Sequence, residues 1–224
     1  MNDLTLVLPV KNEPESLPFM LMEIEKLNLN YIIVMEKNDF ITLNSIEKFK
    51  SKIIFQENKG YGDALLGGLQ AVKTIYFLFI NGDGSMNPNE TVEFYKDITQ
   101  KNLDLLFATR YSKNGNSEDD NFITLIGNKI FTLIGKIFFS LSITDILYTF
   151  VMGNTKKVLN LKLKQKDFRF CVELPIKAKR NNLQISDIGS NERKRIAGTK
   201  KVNDFKDGFL ILKEMIYLFF NSKR

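Results

Sequence analysis

From residue 4 to residue 109, short apolar runs alternate with helical stretches, and this alternation constrains the fold more than any other feature of the 224 residues. Leu4–Val10 is an apolar run of strand length. Residues 14–27 then carry apolar side chains at helical spacing, with Glu15 early and Lys26 late, as a helix dipole favours. The same reading predicts strands at 31–35, 52–55, 75–80 and 103–109, and helices at 45–49, 60–73 and 88–98. Strands alternating with helices at this interval imply an α/β fold, a mostly parallel sheet covered by helices on both faces. Ligands of such sheets bind beyond the carboxyl ends of the strands. After residue 110 the pattern becomes mainly helical, and the length suits one domain with a small appendage.

Several chemistries are excluded by what the chain lacks. It has no histidine, which removes Ser-His-Asp and Cys-His nucleophiles and histidine-bound zinc. The single Cys171 cannot form an intramolecular disulfide and suits a reducing compartment. The first residues run straight into a strand rather than a secretory leader, so a cytoplasmic location is expected. No stretch of about twenty uncharged apolar residues is present, so a membrane-spanning helix is not expected. The net charge of +6 suits an anionic partner. Apart from residues 193–201 the basic residues are scattered and no RNA or DNA motif is visible, so nucleic acid is not the expected one.

Four segments carry chemistry. Leu8-Pro9-Val10-Lys11-Asn12-Glu13 ends the first strand in a rigid polar turn. Asn58-Lys59-Gly60-Tyr61-Gly62-Asp63-Ala64, with Gly67 and Gly68 beyond, lets backbone approach a phosphate or a neighbouring strand. It is not a dinucleotide fingerprint, because Leu65 stands where the third glycine belongs. Asn81-Gly82-Asp83-Gly84-Ser85 follows an apolar strand and offers a carboxylate for a cation bound to diphosphate, with Asn81 a neutral ligand at best. The basic run 191–200 supplies Arg193, Lys194, Arg195 and Lys200 for phosphate oxygens. Each segment read alone also fits an ordinary turn or solvated loop.

In this order the segments resemble glycosyltransferase family 2, on the GT-A fold. Pro9, Asn12 and Glu13 are similar to the P-x-x-N-E start, residues 58–68 to N-x-G-x-G-x-A…G, and Asn81-Gly82-Asp83 to D-x-D. Ala108-Thr109-Arg110-Tyr111 and Arg195-Ile196-Ala197-Gly198-Thr199-Lys200 resemble two motifs of the dolichol- and polyprenyl-phosphate sugar transferases. Asp145 falls near a further family motif, and Glu173 matches an acidic residue on the following helix. The resemblance implies a GT-A domain over 1–201, with 1–110 its nucleotide-sugar half and 111–201 its acceptor half, then an amphipathic helix at 202–224. It implies a nucleotide-sugar pocket of Pro9, Asn12, Glu13, Glu36, Gly60, Gly62, Asn81 and Asp83, with Mg²⁺ or Mn²⁺ held by Asp83 and Asn81. Arg110, Arg195 and Lys200 would hold phosphate. Asn81 departs from the motif's first acid, which leaves open an active enzyme with a tuned site or an inactive relative.

Inverting transfer to a hydroxyl needs a general base, for which Glu173 or Asp145 is the candidate. A phosphomonoester acceptor is already largely dianionic at neutral pH and needs positioning rather than deprotonation. Two apolar helices favour such an acceptor on a lipid. Residues 121–141 carry one polar stripe at Thr124, Asn128, Thr132, Lys136 and Ser140, and residues 205–220 mix aromatics with Lys206 and Lys213 before Lys223-Arg224. Both suit an anionic bilayer surface, a protein core or a dimer interface. The expectation is a peripheral enzyme on the cytoplasmic face of the membrane, taking a lipid-phosphate acceptor. Its alternatives are a hydroxyl acceptor or a catalytically degenerate relative.

Overall fold

A computed structural model describes residues 1–221. Strands β1 (Leu4–Val10), β2 (Asn30–Met35), β3 (Lys52–Phe55) and β4 (Tyr76–Phe79) alternate with helices α1 (Leu17–Lys26), α2 (Phe40–Ser45) and α3 (Tyr61–Ala71). A 3₁₀ turn (Pro88–Glu90) leads into α4 (Thr91–Gln100), then β5 (Leu105–Thr109), β6 (Asn116–Ser117) and α5 (Phe122–Phe139). The chain closes with β7 (Val151–Asn154), α6 (Thr155–Leu159), α7 (Phe170–Arg180), β8 (Ile185–Gly189), β9 (Asn191–Glu192) and α8 (Asp204–Phe220).

The main sheet runs β3-β2-β1-β4-β7-β5-β8. Only β7 is antiparallel to its neighbours, β4 and β5. Every residue of β1 is buried, which explains a run that is apolar but for Thr5: a strand covered on both faces has no polar side. Pro9 is tolerated in this central strand because of register. Ile80 N donates to Val7 O, so by the period of two Pro9 also faces β4, whose pairing ends at Val7–Phe79. One apolar cluster packs α3, α7 and α8 on one face, and another packs α1 and α4 on the other.

The helix expected at 45–49 lies earlier, at Phe40–Ser45, because Asp39 caps it by accepting from Thr42 N at 3.3 Å. The parallel pair β6–β9 has no periodicity long enough to announce itself. Ile211, Met215 and Leu218 of α8 join the same core as the sheet. Lys223 and Arg224 lie outside the described residues.

Helix α5 is inside out. Its polar residues Asn128 and Thr132 are buried, whereas Ile130, Leu133 and Ile137 are more than half exposed. Asn128 Nδ2 donates to Asp145 Oδ1, and Thr132 Oγ1 accepts from Ile146 N at 3.2 Å. The middle of the polar stripe read from the sequence, Asn128 and Thr132, is therefore the attachment face, while Lys136 and Ser140 at its end are exposed. Along α8 the exposed residues include Phe205, Phe209, Ile216 and Phe220, while Glu214 is buried. Phe138 and Phe139 of α5 meet Phe219 edge-on, joining the two outer faces. The 18 residues of α5 are also long and apolar enough, by composition, to cross a bilayer.

Candidate functional site

One cavity of about 520 Å³ opens beyond the carboxyl ends of β1 to β4 and extends to α5 and α8. Pro9, Glu13, Glu36, Gly60, Asn81, Asp83, Arg110, Arg195 and Lys200 line it, as do Lys11, Tyr61, Asp119, Thr149, Glu192 and Lys201. Asn12, Gly62, Asp145 and Glu173 do not.

At the end of β1 the chain turns through Asn12, whose φ of 52° is left-handed and whose N–H donates to Asp39 Oδ2 at 2.6 Å. Asn12 is thus a turn residue behind the cavity, not part of its wall. Glu13 N donates to Thr42 Oγ1, and Ser16 Oγ donates to Glu13 Oε2 at 2.8 Å. Burial, with the nearby charge of Asp83, raises the Glu13 carboxyl above its ordinary value. Lys11 Nζ meets Glu36 Oε1 at 2.8 Å, which ties the ends of β1 and β2 together.

The Asn81–Ser85 turn is held internally and from above. Asp83 Oδ1 accepts from Ser85 N at 3.0 Å and Ser85 Oγ at 2.8 Å. Arg193 N donates to Ser85 O and Ile196 N to Asp83 O, so residues 193–196 form a strap over the turn. Gly84, with φ +84°, carries no Cβ because one would lie 2.5 Å from Ile196. Arg193, one of several cations in its basic run, anchors the strap: its guanidinium pairs with Glu23 at 2.9 Å and bonds Gly84 O at 3.1 Å. Arg195 bonds Asp119 through Nε at 3.2 Å and lies 4.0 Å from Asp83 Oδ2. Burial alone would raise Asp119, but the Arg195 hydrogen bond and charge outweigh it and hold that carboxyl low. Lys200 bonds Thr124 of α5 at 2.6 Å and pairs with Asp204, and Lys201 lies 3.7 Å from Glu13.

Gly60 and Gly62 serve packing. A Cβ on Gly60 would sit 2.1 Å from Lys166 O, and one on Gly62 would sit 2.3 Å from Gln165 O. The 165–167 loop thus rests directly on their backbone.

Three expected roles need correction. Arg110 is spent on carboxylates: it meets Asp145 through Nε at 2.8 Å and Glu192 through NH1 at 3.2 Å. Burial works against its charge, but Asp145 and Glu192 prevail and keep it protonated. Asp145, fully buried, is the partner of that cation and no base. Glu173 accepts from Lys164 N and Gln165 N and pairs with Lys177 at 2.7 Å, holding the loop before α7. Sequence spacing could not reveal the Arg110 pairings, which join residues 35 and 82 apart. Of the Glu173 contacts only the one to Lys177, a single helical turn away, is legible in the sequence.

One divalent-cation ligand fits. Asp83 Oδ1 is taken by Ser85, but Oδ2, 4.0 Å from Arg195, accepts no hydrogen bond among the described residues and can coordinate. No group of three or more acidic or cysteine side chains is arranged to hold a metal ion among the described residues. A cation here would be held by Asp83 and by the substrate's own phosphates, which suits magnesium or manganese.

Strand ends that converge on one acidic turn beneath a basic strap define an α/β domain whose ligand site lies beyond the carboxyl edge of its sheet. Residues 5–160 match the sequence profile described as glycosyl transferase family 2, and the chain belongs to that family. Its fold is similar to glucosyl-3-phosphoglycerate synthase from Mycobacterium tuberculosis in complex with UDP, with TM-score 0.74 and 15% identity, over 97% of this chain and 80% of that one. It is similar also to mannosyl-3-phosphoglycerate synthase from Rubrobacter xylanophilus, with TM-score 0.74 and 13% identity, over 96% of this chain and 73% of that one. Another crystal structure of the mycobacterial synthase holds Mn²⁺, UDP and glucosyl-3-phosphoglycerate. A segment is 30% identical over 109 residues to the bifunctional protein GlmU of Thermodesulfovibrio yellowstonii, covering 42% of this chain and 24% of that protein. The chain thus spans about a quarter of that curated relative's length.

Proposed function

We propose that the chain transfers a sugar from a nucleoside-diphosphate sugar to a phosphate carried by a lipid at an anionic bilayer surface. The observation that carries the acceptor half is the inverted burial of α5. Its polar side holds Asp145, and its apolar side lies open beside the exposed apolar face of α8. An apolar stripe facing outward gains free energy only against another apolar phase. Both helices also line the cavity, through Thr124 and Phe131 of α5 and Gly208 and Ile211 of α8. A lipid headgroup bound there would reach Lys200 without leaving the membrane surface.

The site's carboxylates support an acceptor that needs no base. Glu13, Glu36, Asp119, Glu192 and Asp204 are each within 4 Å of a lysine or arginine. A dianionic phosphate oxygen attacks without deprotonation, so positioning and charge neutralisation carry the rate. Arg195, Lys200 and Lys201 have that task. Each is paired with a carboxylate, but their side chains are 21–34% exposed against 7% for Arg110, so a phosphate can share them. Asp83 holds the donor diphosphate through its cation. The bound cation supplies charge neutralisation to the leaving diphosphate.

A second reading is a small soluble phosphorylated acceptor, favoured by the fold's likeness to the two phosphoglycerate glycosyltransferases. Flotation with phosphatidylglycerol vesicles and transfer assays with polyprenyl phosphate, 3-phosphoglycerate and a sugar hydroxyl separate the readings. Flotation with transfer to polyprenyl phosphate alone is the expected result. Transfer to 3-phosphoglycerate without flotation establishes the soluble acceptor, and transfer only to the sugar hydroxyl removes both.

A further inference from the structure

Asn81 stands where the family's motif has its first acid, and its surroundings give the amide a direction. Tyr61 Oη donates to Asn81 Oδ1 at 2.8 Å. The same phenol lies 2.5 Å from Thr149 Oγ1. The Tyr61 ring stacks on Phe168 with centroids 5.1 Å apart and planes at 20°, which fixes where the hydroxyl sits. Burial, the largest influence, pushes the Tyr61 phenol far above its ordinary value, so it always has a proton to donate. The Thr149 hydroxyl can in turn donate to the phenol oxygen.

An amide whose oxygen is engaged in this way presents its nitrogen on the opposite side. Asn81 Nδ2 carries two N–H groups and has no hydrogen-bond partner among the described residues. It is also not sealed from solvent, and Asn81 lines the cavity with Asp83. A carboxylate at this position would offer acceptors only, whereas the amide offers a donor and no charge. Beside Asp83, that reduces the repulsion felt by an incoming diphosphate.

We infer that Asn81 binds the donor substrate as a hydrogen-bond donor, from Nδ2 to a diphosphate oxygen of the nucleoside-diphosphate sugar, and that Tyr61 is the positioning residue that orients it. The metal-ligand role expected of Asn81 is replaced by direct recognition of the anion. This inference rests on the donor-site reading proposed above.

The test is calorimetric titration of UDP and of GDP, first with EDTA and then with Mn²⁺, into the wild type, Asn81→Ala, Tyr61→Phe and the double variant. Tyr61→Phe keeps the ring stack and removes only the hydroxyl. For the nucleotide that binds, Asn81→Ala is expected to weaken affinity about tenfold, as loss of a hydrogen bond to a charged group does, with EDTA as well as with Mn²⁺. Tyr61→Phe is expected to cost about threefold alone and nothing further in the Asn81→Ala background, since the two act as one unit. A loss in Asn81→Ala confined to the Mn²⁺ titration would make Asn81 a metal ligand and overturn the inference. So would additive effects of the two substitutions, which would make Tyr61 merely structural. If the wild type binds neither nucleotide under either condition, the donor-site reading itself fails. If it binds and Asn81→Ala matches it, only the present inference fails.

Discussion

Arg110 and Asp145 form a buried two-point pair, Nε to Oδ2 at 2.8 Å and NH2 to Oδ1 at 3.1 Å, that joins the end of β5 to the loop after α5. Asn128 of α5 donates to the same carboxylate, and Glu192 of β9 takes the remaining face of the guanidinium. The cavity wall, the inverted helix and the strap's root thus meet at one cation. Removing one member of a buried pair leaves a charge without compensation, typically worth about 3–5 kcal/mol. Asp145→Ala is expected to lose stability toward that figure, moderated because Glu192 still faces Arg110. Urea denaturation monitored by circular dichroism measures it. A loss below about 1 kcal/mol, the scale of an exposed pair, would contradict this account.

Asp83 is the one acidic side chain of its turn, and Oδ2 is its free oxygen. Asp83→Ala is expected to lower sugar transfer by on the order of 10²-fold or more, the scale seen when one stabilising group at developing charge is removed. Nucleotide affinity in that variant should no longer respond to Mn²⁺. Turnover equal to wild type would remove Asp83 from the mechanism.

Much of this was legible in the sequence, for a physical reason. Strands buried on both faces write themselves as apolar runs, so β1, β2, β4 and β5 were placed to within a residue or two, as was the half-exposed edge strand β3, whereas β6 to β9 were not placed. The turns after those strands were legible as polar clusters, and Pro9, Glu13, Asn81, Asp83, Arg195 and Lys200 do share one cavity. Pairings were not legible. That Arg110 serves Asp145 and Glu192 rather than phosphate, or that Glu173 holds the backbone of Lys164 and Gln165, depends on segments the fold brings together. The polar stripe of α5 was visible, but periodicity alone cannot tell which side of a helix faces the protein.

Two glycines of α3 give opposite expectations for one substitution. A Cβ on Gly62 would lie 2.3 Å from Gln165 O and 2.8 Å from Asp167 O, so Gly62→Ala must push the 165–167 loop away from α3. On Gly67 the nearest contact would be Val34 Cγ1 at 4.0 Å, ordinary packing distance. Gly67→Ala is therefore expected to stabilise the helix by about 0.5–1 kcal/mol through the lower entropy of the unfolded chain. Gly62→Ala is expected to destabilise by about 1–3 kcal/mol, as overpacking does. Paired denaturation curves check both signs, and equal midpoints for the two variants would refute the contrast.

Glu214 places a pH dependence in the docking of α8. Burial, together with the charge of Glu173, raises its carboxyl above the ordinary 4.5, although Gln165, Arg169 and Lys177 pull it down. Between 4.5 and its raised value the folded chain therefore binds more protons than the unfolded one. Its contribution to stability is complete below 4.5 and is lost as pH rises through the raised value. Glu214→Gln keeps the shape and removes that loss, so the variant should melt higher than wild type at neutral pH and converge with it below 4.5. Thermal melts across that range read the difference, and a variant that is less stable at neutral pH would show that Glu214 is needed as a charged partner of Arg169 and Lys177.

The outer face of α5 separates membrane attachment from folding more cleanly than any residue of the cavity. Ile130 is 52% exposed, so a charge there has no core to disrupt. A surface substitution of this kind usually changes stability by no more than about 0.5 kcal/mol. At a bilayer interface the same substitution removes apolar contact and adds repulsion from anionic lipid. Ile130→Glu combined with Phe209→Glu, whose side chain is exposed on α8, is expected to abolish flotation with phosphatidylglycerol vesicles while leaving the melting temperature and nucleotide affinity near wild type. If transfer to a vesicle-borne acceptor phosphate falls while transfer to a short water-soluble isoprenyl phosphate persists, the apolar face delivers the lipid and the cavity does the chemistry. Unchanged flotation in the double variant would remove this face from membrane binding and leave the soluble acceptor as the better reading.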